Sequence, residues 1–197
     1  KTNLGFAKGN NIGVKHAKGH HILLLNNDTL LLNELSPAIN LLKNDSSIGI
    51  IGIQMLDAQN IPIISYGHFP KFYNFLKLKT LQGNSHTNKK NEIVDVDWIS
   101  GAFLLTTMEI WNSVKGFNES YFMYVEDVDF NKKVKDLGKR SVYLSSISFL
   151  HFVGFNKERE HLLMKSYKIY IRIHKTGIDL LASLFLLNIN LLIKKAL

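Results

Sequence analysis

The sequence predicts an α/β fold: a mixed sheet flanked by helices, closed by a helical extension at the C-terminal end. Three observations carry this. Apolar runs His21–Leu25 and Ile48–Leu56 read as strands either side of a helical stretch. The middle of the chain mixes short strands with short helices. The last forty or so residues are helical in pattern throughout. An order that runs βαβ-like, then mixed, then helical is that of a layered α/β domain with helices covering one end.

The elements follow in order. Residues 9–18 (GNNIGVKHAK) form a short helix, with Ile12 and Ala17 as its apolar positions. His21–Leu25 is apolar without a break, as in a strand of a parallel sheet covered on both faces. It stops at Asn26-Asn27-Asp28. Asn33 is placed to cap a helix reaching Leu42, with Leu35, Ile39 and Leu42 on one side. Ile48–Leu56 is rich in β-branched residues and strand-like. A strand near Ile61–Ser65 precedes a polar loop at Gly83–Asn91. Val94–Thr106 gives a strand, a break at Ser100-Gly101, and a second strand. Met108–Val114 is a helix stopped by Lys115-Gly116. Asp127–Leu137 is another, with Gly138 just past its end. Ser141–Leu144 and Ile147–His151 are strands, and residues 157–175 and 178–193 are helices.

Composition narrows the function. The chain has 197 residues, enough for a real core, and its 46% hydrophobic and 20% charged content is globular. With no cysteine there is no disulfide scaffold, thiolate zinc site or cysteine nucleophile, which accords with a reducing compartment. The net charge of +8 is uneven. Residues 1–20 and 58–91 carry lysines and no acid, while residues 92–129 carry eight acids against Lys115 alone. Basic margins around an acidic centre suit an anionic substrate outside and a cation inside. A nucleic-acid binder would show a basic stripe with interleaved aromatics instead, so no nucleic-acid partner is expected.

Open α/β sheets place ligands at the C-terminal ends of their strands, and Asp28 is a carboxylate at such an end. Asn26, two residues earlier, points the same way in extended chain. One carboxylate and one amide oxygen suit a hard cation such as Mg²⁺ or Mn²⁺, completed by phosphate and water. The alternative is a turn, which Asn and Asp favour. Asp127 opens a helix, where N–H donors and the helix dipole orient a carboxylate and keep it ionised. Asp129 lies about 200° further round and points away, as a structural acid that could pair with a base. Glu126 is placed to position an acceptor. Ser100-Gly101-Ala102 removes bulk where backbone could approach a phosphate or sugar. Asp95 and Asp97 read as the polar face of a half-buried strand. His16, His20 and His21 read as surface residues, and Gly9–Gly13 lacks the strand that a phosphate-binding loop needs before it.

Three blocks resemble one family. They are Asn3-Leu4-Gly5-Phe6-Ala7-Lys8-Gly9-Asn10-Asn11-Ile12-Gly13 with Ile22–Thr29; Trp98–Leu105 with Gly116-Phe117-Asn118-Glu119 and Tyr121–Asp129; and His151 after a strand. Their order is that of the family 2 glycosyltransferases, especially the bacterial rhamnosyltransferase-like branch, over residues 1–155. The resemblance implies a GT-A fold and inverting transfer of a sugar from a UDP-, dTDP- or GDP-linked donor. The acceptor would be a glycan or lipid-linked saccharide of bacterial polysaccharide or cell-envelope synthesis. It implies a divalent metal, Mg²⁺ or Mn²⁺, held by Asn26, Asp28 and His151. Asn26 stands where many members have a second carboxylate, which lowers the expected metal affinity. It makes Asp127 the catalytic base with Glu126 beside it. It puts Asn3, Gly5, Phe6, Asn26, Asn27, Asp28, Ser100, Gly101 and Ala102 around the donor. A module that keeps only the fold, as a membrane-peripheral or oligomerising element, is the alternative.

The expected division is a catalytic domain at residues 1–155 and a helical extension at 156–197. The chain begins at Lys1, and family members begin with strands not seen here. On the order of 60 residues of a longer domain are therefore expected upstream. Sheet edge is then expected to be exposed near residues 21–25 and 48–56, with poor donor binding by this piece alone. Leu180–Ile193 is apolar nearly all round, with basic residues beside it. It reads either as an anchor on the inner face of the plasma membrane from the cytoplasm or as a helix packed on the domain or in a homodimer.

Overall fold

The computed structural model describes residues 2–83, 92–152 and 159–196. The expected boundary at residue 155 and most of the polar loop at Gly83–Asn91 fall outside them. In chain order the elements are α1 (Phe6–His16), β1 (His21–Leu25), β2 (Thr29–Leu31), α2 (Ser36–Asn44), β3 (Ile48–Leu56), β4 (Pro62–Ile63) and β5 (Tyr66–Gly67). Two 3₁₀ helices, Phe72–Leu76 and Leu78–Leu81, lead to β6 (Ile93–Val96), β7 (Trp98–Ile99) and β8 (Phe103–Thr107). The rest are α3 (Met108–Ser113), α4 (Glu126–Asp136), β9 (Arg140–His151), α5 (Arg159–His174) and α6 (Gly177–Ala196).

The main sheet is mixed, in the order β1-β8-β3-β9-β2. β3 and β9 are parallel, and the other pairings are antiparallel. Alternation along the strands divides the core. Ile50 and Leu104 face a cluster built with α1, α3, α4, α5 and α6. Ile51, Phe103 and Leu105 face the other side, where Ala38 and Leu42 of α2 cover them. Met164, Tyr167, Tyr170, Ile171 and Leu187 of the two last helices are buried in the first cluster.

Several expectations shift. β1 runs antiparallel to β8 and has no partner on its outer side among the described residues. Its burial alternates: Ile22 and Leu24 are buried in the first cluster, Leu23 is half-buried against the second and Leu25 is exposed, so one face is fully covered and the other only in part. That matches the expected edge at residues 21–25. β3, expected as a second edge, is paired on both sides and almost wholly buried. α1 starts at Phe6, and it buries Ala7 and Val14 while Ile12 stays exposed. α2 starts at Ser36 with Pro37 in its first turn, not at Asn33. Asn33 instead accepts the Ser148 N–H at 2.9 Å and ties β2 to β9. The strand near Ile61–Ser65 shrinks to two residues. Residues 141–151 are one strand, whose register against β3 jumps between Leu144 and Ser148.

Candidate active site

The site is assembled from strand ends and from one turn. β1 delivers Asn26, whose N–H donates to the Ala102 carbonyl at 3.1 Å. The chain turns through Asn27, and Thr29 Oγ1 closes the turn on the Asn26 carbonyl at 2.7 Å. β2 then pairs with the end of β9, Thr29 opposite His151. This pairing brings three predicted residues together. His151 Nε2 lies 3.2 Å from Asp28 Oδ1 and 3.2 Å from Asn26 Nδ2. Asp28 is open to solvent and His151 mostly enclosed. The other ring nitrogen, His151 Nδ1, is buried with no hydrogen-bond partner among the described residues. Asn27 is exposed.

The donor set therefore comprises one carboxylate, one amide and one imidazole. Among the described residues no group of three His, Cys, Asp or Glu side chains could hold a metal. Asp28, Asn26 and His151 can still offer a divalent cation two oxygens and a nitrogen once the Asn26 amide turns its oxygen inward. The orphaned Nδ1 means that His151 lacks the outer partner that usually orients a metal-bound imidazole.

A second group forms around Gly101. Asp127 Oδ2 accepts the Gly101 N–H at 2.9 Å, and Oδ1 accepts the Val128 N–H at 2.8 Å. A Cβ on Gly101 would sit 3.0 Å from the Phe6 ring and 3.7 Å from Asp127 Cβ, so Phe6, Gly101 and Asp127 are in direct apposition. Phe6 is held by its N–H on the Phe122 carbonyl at 2.7 Å. Asn3 Oδ1 accepts the Gly5 N–H at 3.0 Å. Gly5 itself has φ 83°, and a Cβ there would lie 2.2 Å from the Phe122 carbonyl oxygen, so only glycine fits. Ser100 Oγ accepts the Ala102 N–H at 3.3 Å. Ser100, Gly101 and Ala102 thus bridge the two groups: Gly101 to Asp127, Ala102 to Asn26.

The electrostatics differ from expectation at Asp127. Helix-terminal donors were expected to keep Asp127 readily ionised, yet burial pushes its carboxyl up from the ordinary range. The adjacent Glu126 is 4% exposed. Burial, then the charge of Asp127, raises it to about 8. The two carboxyls titrate as a pair, both pushed up by burial, while backbone N–H donors on both Asp127 oxygens favour its charged form against that burial. Asp129 points the other way and is fully buried. Burial alone would raise its pKa, but His174 at 2.7 Å and Lys133 at 2.7 Å hold it below the usual range. Asp95 and Asp97 pair with Arg140 and Lys135 on the surface.

Three features escaped the sequence. Tyr124 and Val125 both adopt left-handed backbone, φ 68° and 70°, just before α4. Such strain in a β-branched residue clusters at functional turns. Ser166 of α5 donates to the Met123 carbonyl at 2.8 Å and grips the same turn. Asn131, fully buried inside α4, spends all its hydrogen-bonding capacity on Ile99, Asp127 and Ser141. An Asn four residues after Asp127, between apolar positions, was the available signal for the last.

The mixed sheet flanked by helices has the architecture of the GT-A fold. A solved structure of GalNAc-T7 with UDP, GalNAc and Mn²⁺ superposes with a TM-score of 0.62 over 86% of this chain and 35% of that one, at 13% identity. In sequence the chain resembles rhamnosyltransferases. It is 38% identical over 79 residues to the N-acetylglucosaminyl-diphospho-decaprenol L-rhamnosyltransferase of Mycobacterium tuberculosis, which is 39% of this chain and 26% of that protein. It is 27% identical over 160 residues to rhamnosyltransferase WbbL of Escherichia coli K12, covering 75% of this chain and 61% of the relative. The chain thus spans about a quarter of the first relative and three fifths of the second. No protein-family model matches it.

Proposed function

We propose that the chain forms the acceptor, metal and base half of an inverting glycosyltransferase of bacterial polysaccharide or cell-envelope synthesis. The observation that carries this is the pinned Asp127 carboxylate, set on Gly101 and against Phe6, on a fold shared with a UDP-bound enzyme. The donor in this reading is a nucleoside diphosphate sugar, and the acceptor a saccharide or lipid-linked saccharide at the cytoplasmic side.

Asp127 takes the proton of an acceptor hydroxyl as that oxygen bonds to the anomeric carbon. The bond from that carbon to the diphosphate breaks, and its electron pair leaves on the nucleoside diphosphate. Protonated Glu126 can donate a hydrogen bond beside the base without competing for the acceptor proton. Asn26, Asp28 and His151 would hold a divalent cation, Mg²⁺ or Mn²⁺. When bound, it supplies charge neutralisation for the leaving diphosphate. Asn3, Gly5 and Phe6 line the donor side, and Ser100–Ala102 lets the sugar approach backbone. In this reading residues 1–155 are the catalytic domain and 156–197 its helical extension.

One observation favours the alternative, a module that keeps the fold without catalysis: the metal group has a single carboxylate. The full-length protein decides between them. Asp127→Asn should still fold, with a modest loss of thermal stability because its amide nitrogen cannot accept one of the two backbone N–H groups, while sugar transfer falls ~10²–10⁴-fold. Wild-type-like turnover by that variant would refute the base. A protein that neither transfers sugar nor gains stability from UDP, dTDP or GDP with Mn²⁺ would be the non-catalytic module.

A further inference from the structure

The outer surface of α6 is used by nothing described above. Ile178, Leu181, Phe185 and Leu192 follow one another at steps of three, four and seven, so they form one stripe. They are 86%, 68%, 65% and 67% exposed. Asn188 is the polar member of that stripe. The inner face is engaged: Leu187 is fully buried, and Asn190 Nδ2 donates to the Phe75 carbonyl at 3.0 Å. Single exposed leucines are ordinary on a folded protein, but an apolar stripe with one polar member marks a contact surface. The 3₁₀ helix Phe72–Leu76, against which α6 packs, leaves Phe72, Tyr73 and Leu76 exposed as well.

We propose that α6 lies along an anionic lipid surface, with its outer stripe among the acyl chains. Charge selects this occupant. Residues 159–196 carry seven Lys and Arg against two acids. Both acids are already matched, Asp179 by Lys175 at 2.9 Å and Glu160 by Lys194. Lys165, Lys168 and Arg172 recur on one side of α5 and have no ion pair among the described residues. A second copy docked by two-fold symmetry would bring two copies of this net positive segment together. Anionic headgroups would meet these cations with opposite charge, beside an apolar layer for the stripe. The helix is long and apolar enough to cross a bilayer. Its inner face, however, is held on Phe75 and α5, so in the folded protein it lies flat.

Co-sedimentation of the full-length protein with lipid vesicles tests this independently of sugar transfer. Binding to phosphatidylglycerol-rich vesicles should exceed binding to phosphatidylcholine vesicles by at least ~10-fold, since each cation near the surface adds attraction. Leu181→Glu with Phe185→Glu should abolish sedimentation without lowering the melting temperature, because both side chains face solvent. Light scattering is run in parallel. No vesicle binding by the folded wild type, or a dimer that the same double substitution dissociates, overturns the proposal.

Discussion

Asn131 holds both backbone polar groups of Ile99, accepting its N–H and donating to its carbonyl, each at 3.1 Å. The same amide donates to the Asp127 carbonyl at 2.8 Å, and its oxygen accepts from Ser141 Oγ at 2.7 Å. One buried side chain thereby fixes β7 to the first turn of α4. The Ser100–Ala102 segment follows directly, so its distance from Asp127 is set by this bracket.

Asn131→Ala leaves the buried N–H and carbonyl of Ile99 without their partner. A loss of about 3 kcal/mol is expected, or close to 10 °C in melting temperature. Denaturant unfolding measures it, and a loss below about 1 kcal/mol would mean that water replaces the amide.

The raised pKa of Glu126 fixes a sign. Its ordinary value is 4.5 and its folded value about 8. The folded protein therefore holds a proton that the unfolded chain releases, so stability is greatest below the ordinary value and is lost as pH rises to about 8. Glu126→Gln should match wild type at pH 4 and be more stable than it above pH 8. Equal melting curves at high pH would contradict the protonated state.

Glycines in one segment should respond oppositely. Gly5→Ala drives a Cβ into the Phe122 carbonyl at positive φ and should cost about 2 kcal/mol or more. Gly9 and Gly13 lie inside α1 with open space around them. Alanine at either should add about 0.5–1 kcal/mol. If Gly5→Ala were neutral, the tight loop would not be docked on Phe122.

Asp28→Asn removes the one carboxylate of the proposed metal group. In the full-length protein it should raise the Mn²⁺ concentration needed for nucleotide-dependent stabilisation by at least ~10-fold, the scale on which even outer partners of metal sites act. His151→Ala should have a smaller effect, since His151 Nδ1 has no partner among the described residues to orient the ring. An unchanged Mn²⁺ titration in Asp28→Asn would remove Asp28 from the metal group.

Legibility in the sequence followed the range of the interaction. Asn26, Asp28 and the start of α4 could be read because alternation and helix-end chemistry are local. Gly138 at φ 76° past α4 was equally readable. The unequal cover of the two faces of β1 was not: His21–Leu25 is apolar in every position but the first, and its pairing partner β8 lies some eighty residues on. Asn33 carried a capping signal that was real chemistry spent elsewhere, on Ser148. The shift at Glu126 and Asp127 depends on burial by distant segments, which no local pattern reports. The left-handed turn that precedes α4 gave no warning, because Tyr124 and Val125 are poor candidates for that backbone.

The register jump in β9 gives that strand two jobs on one edge. Before it, Ser141–Leu144 pair with β6; after it, Phe149–His151 pair with β2. The intervening Ser145–Ile147 act as a phase shifter. Their number decides which side of the sheet each later residue meets. Removing a single residue there would exchange Leu150 and His151 across the sheet, turning the imidazole away from Asp28 while leaving composition and strand length almost untouched. Chain length at residues 145–147, with no ligand nearby, is thus as strict a requirement of the site as the identity of His151.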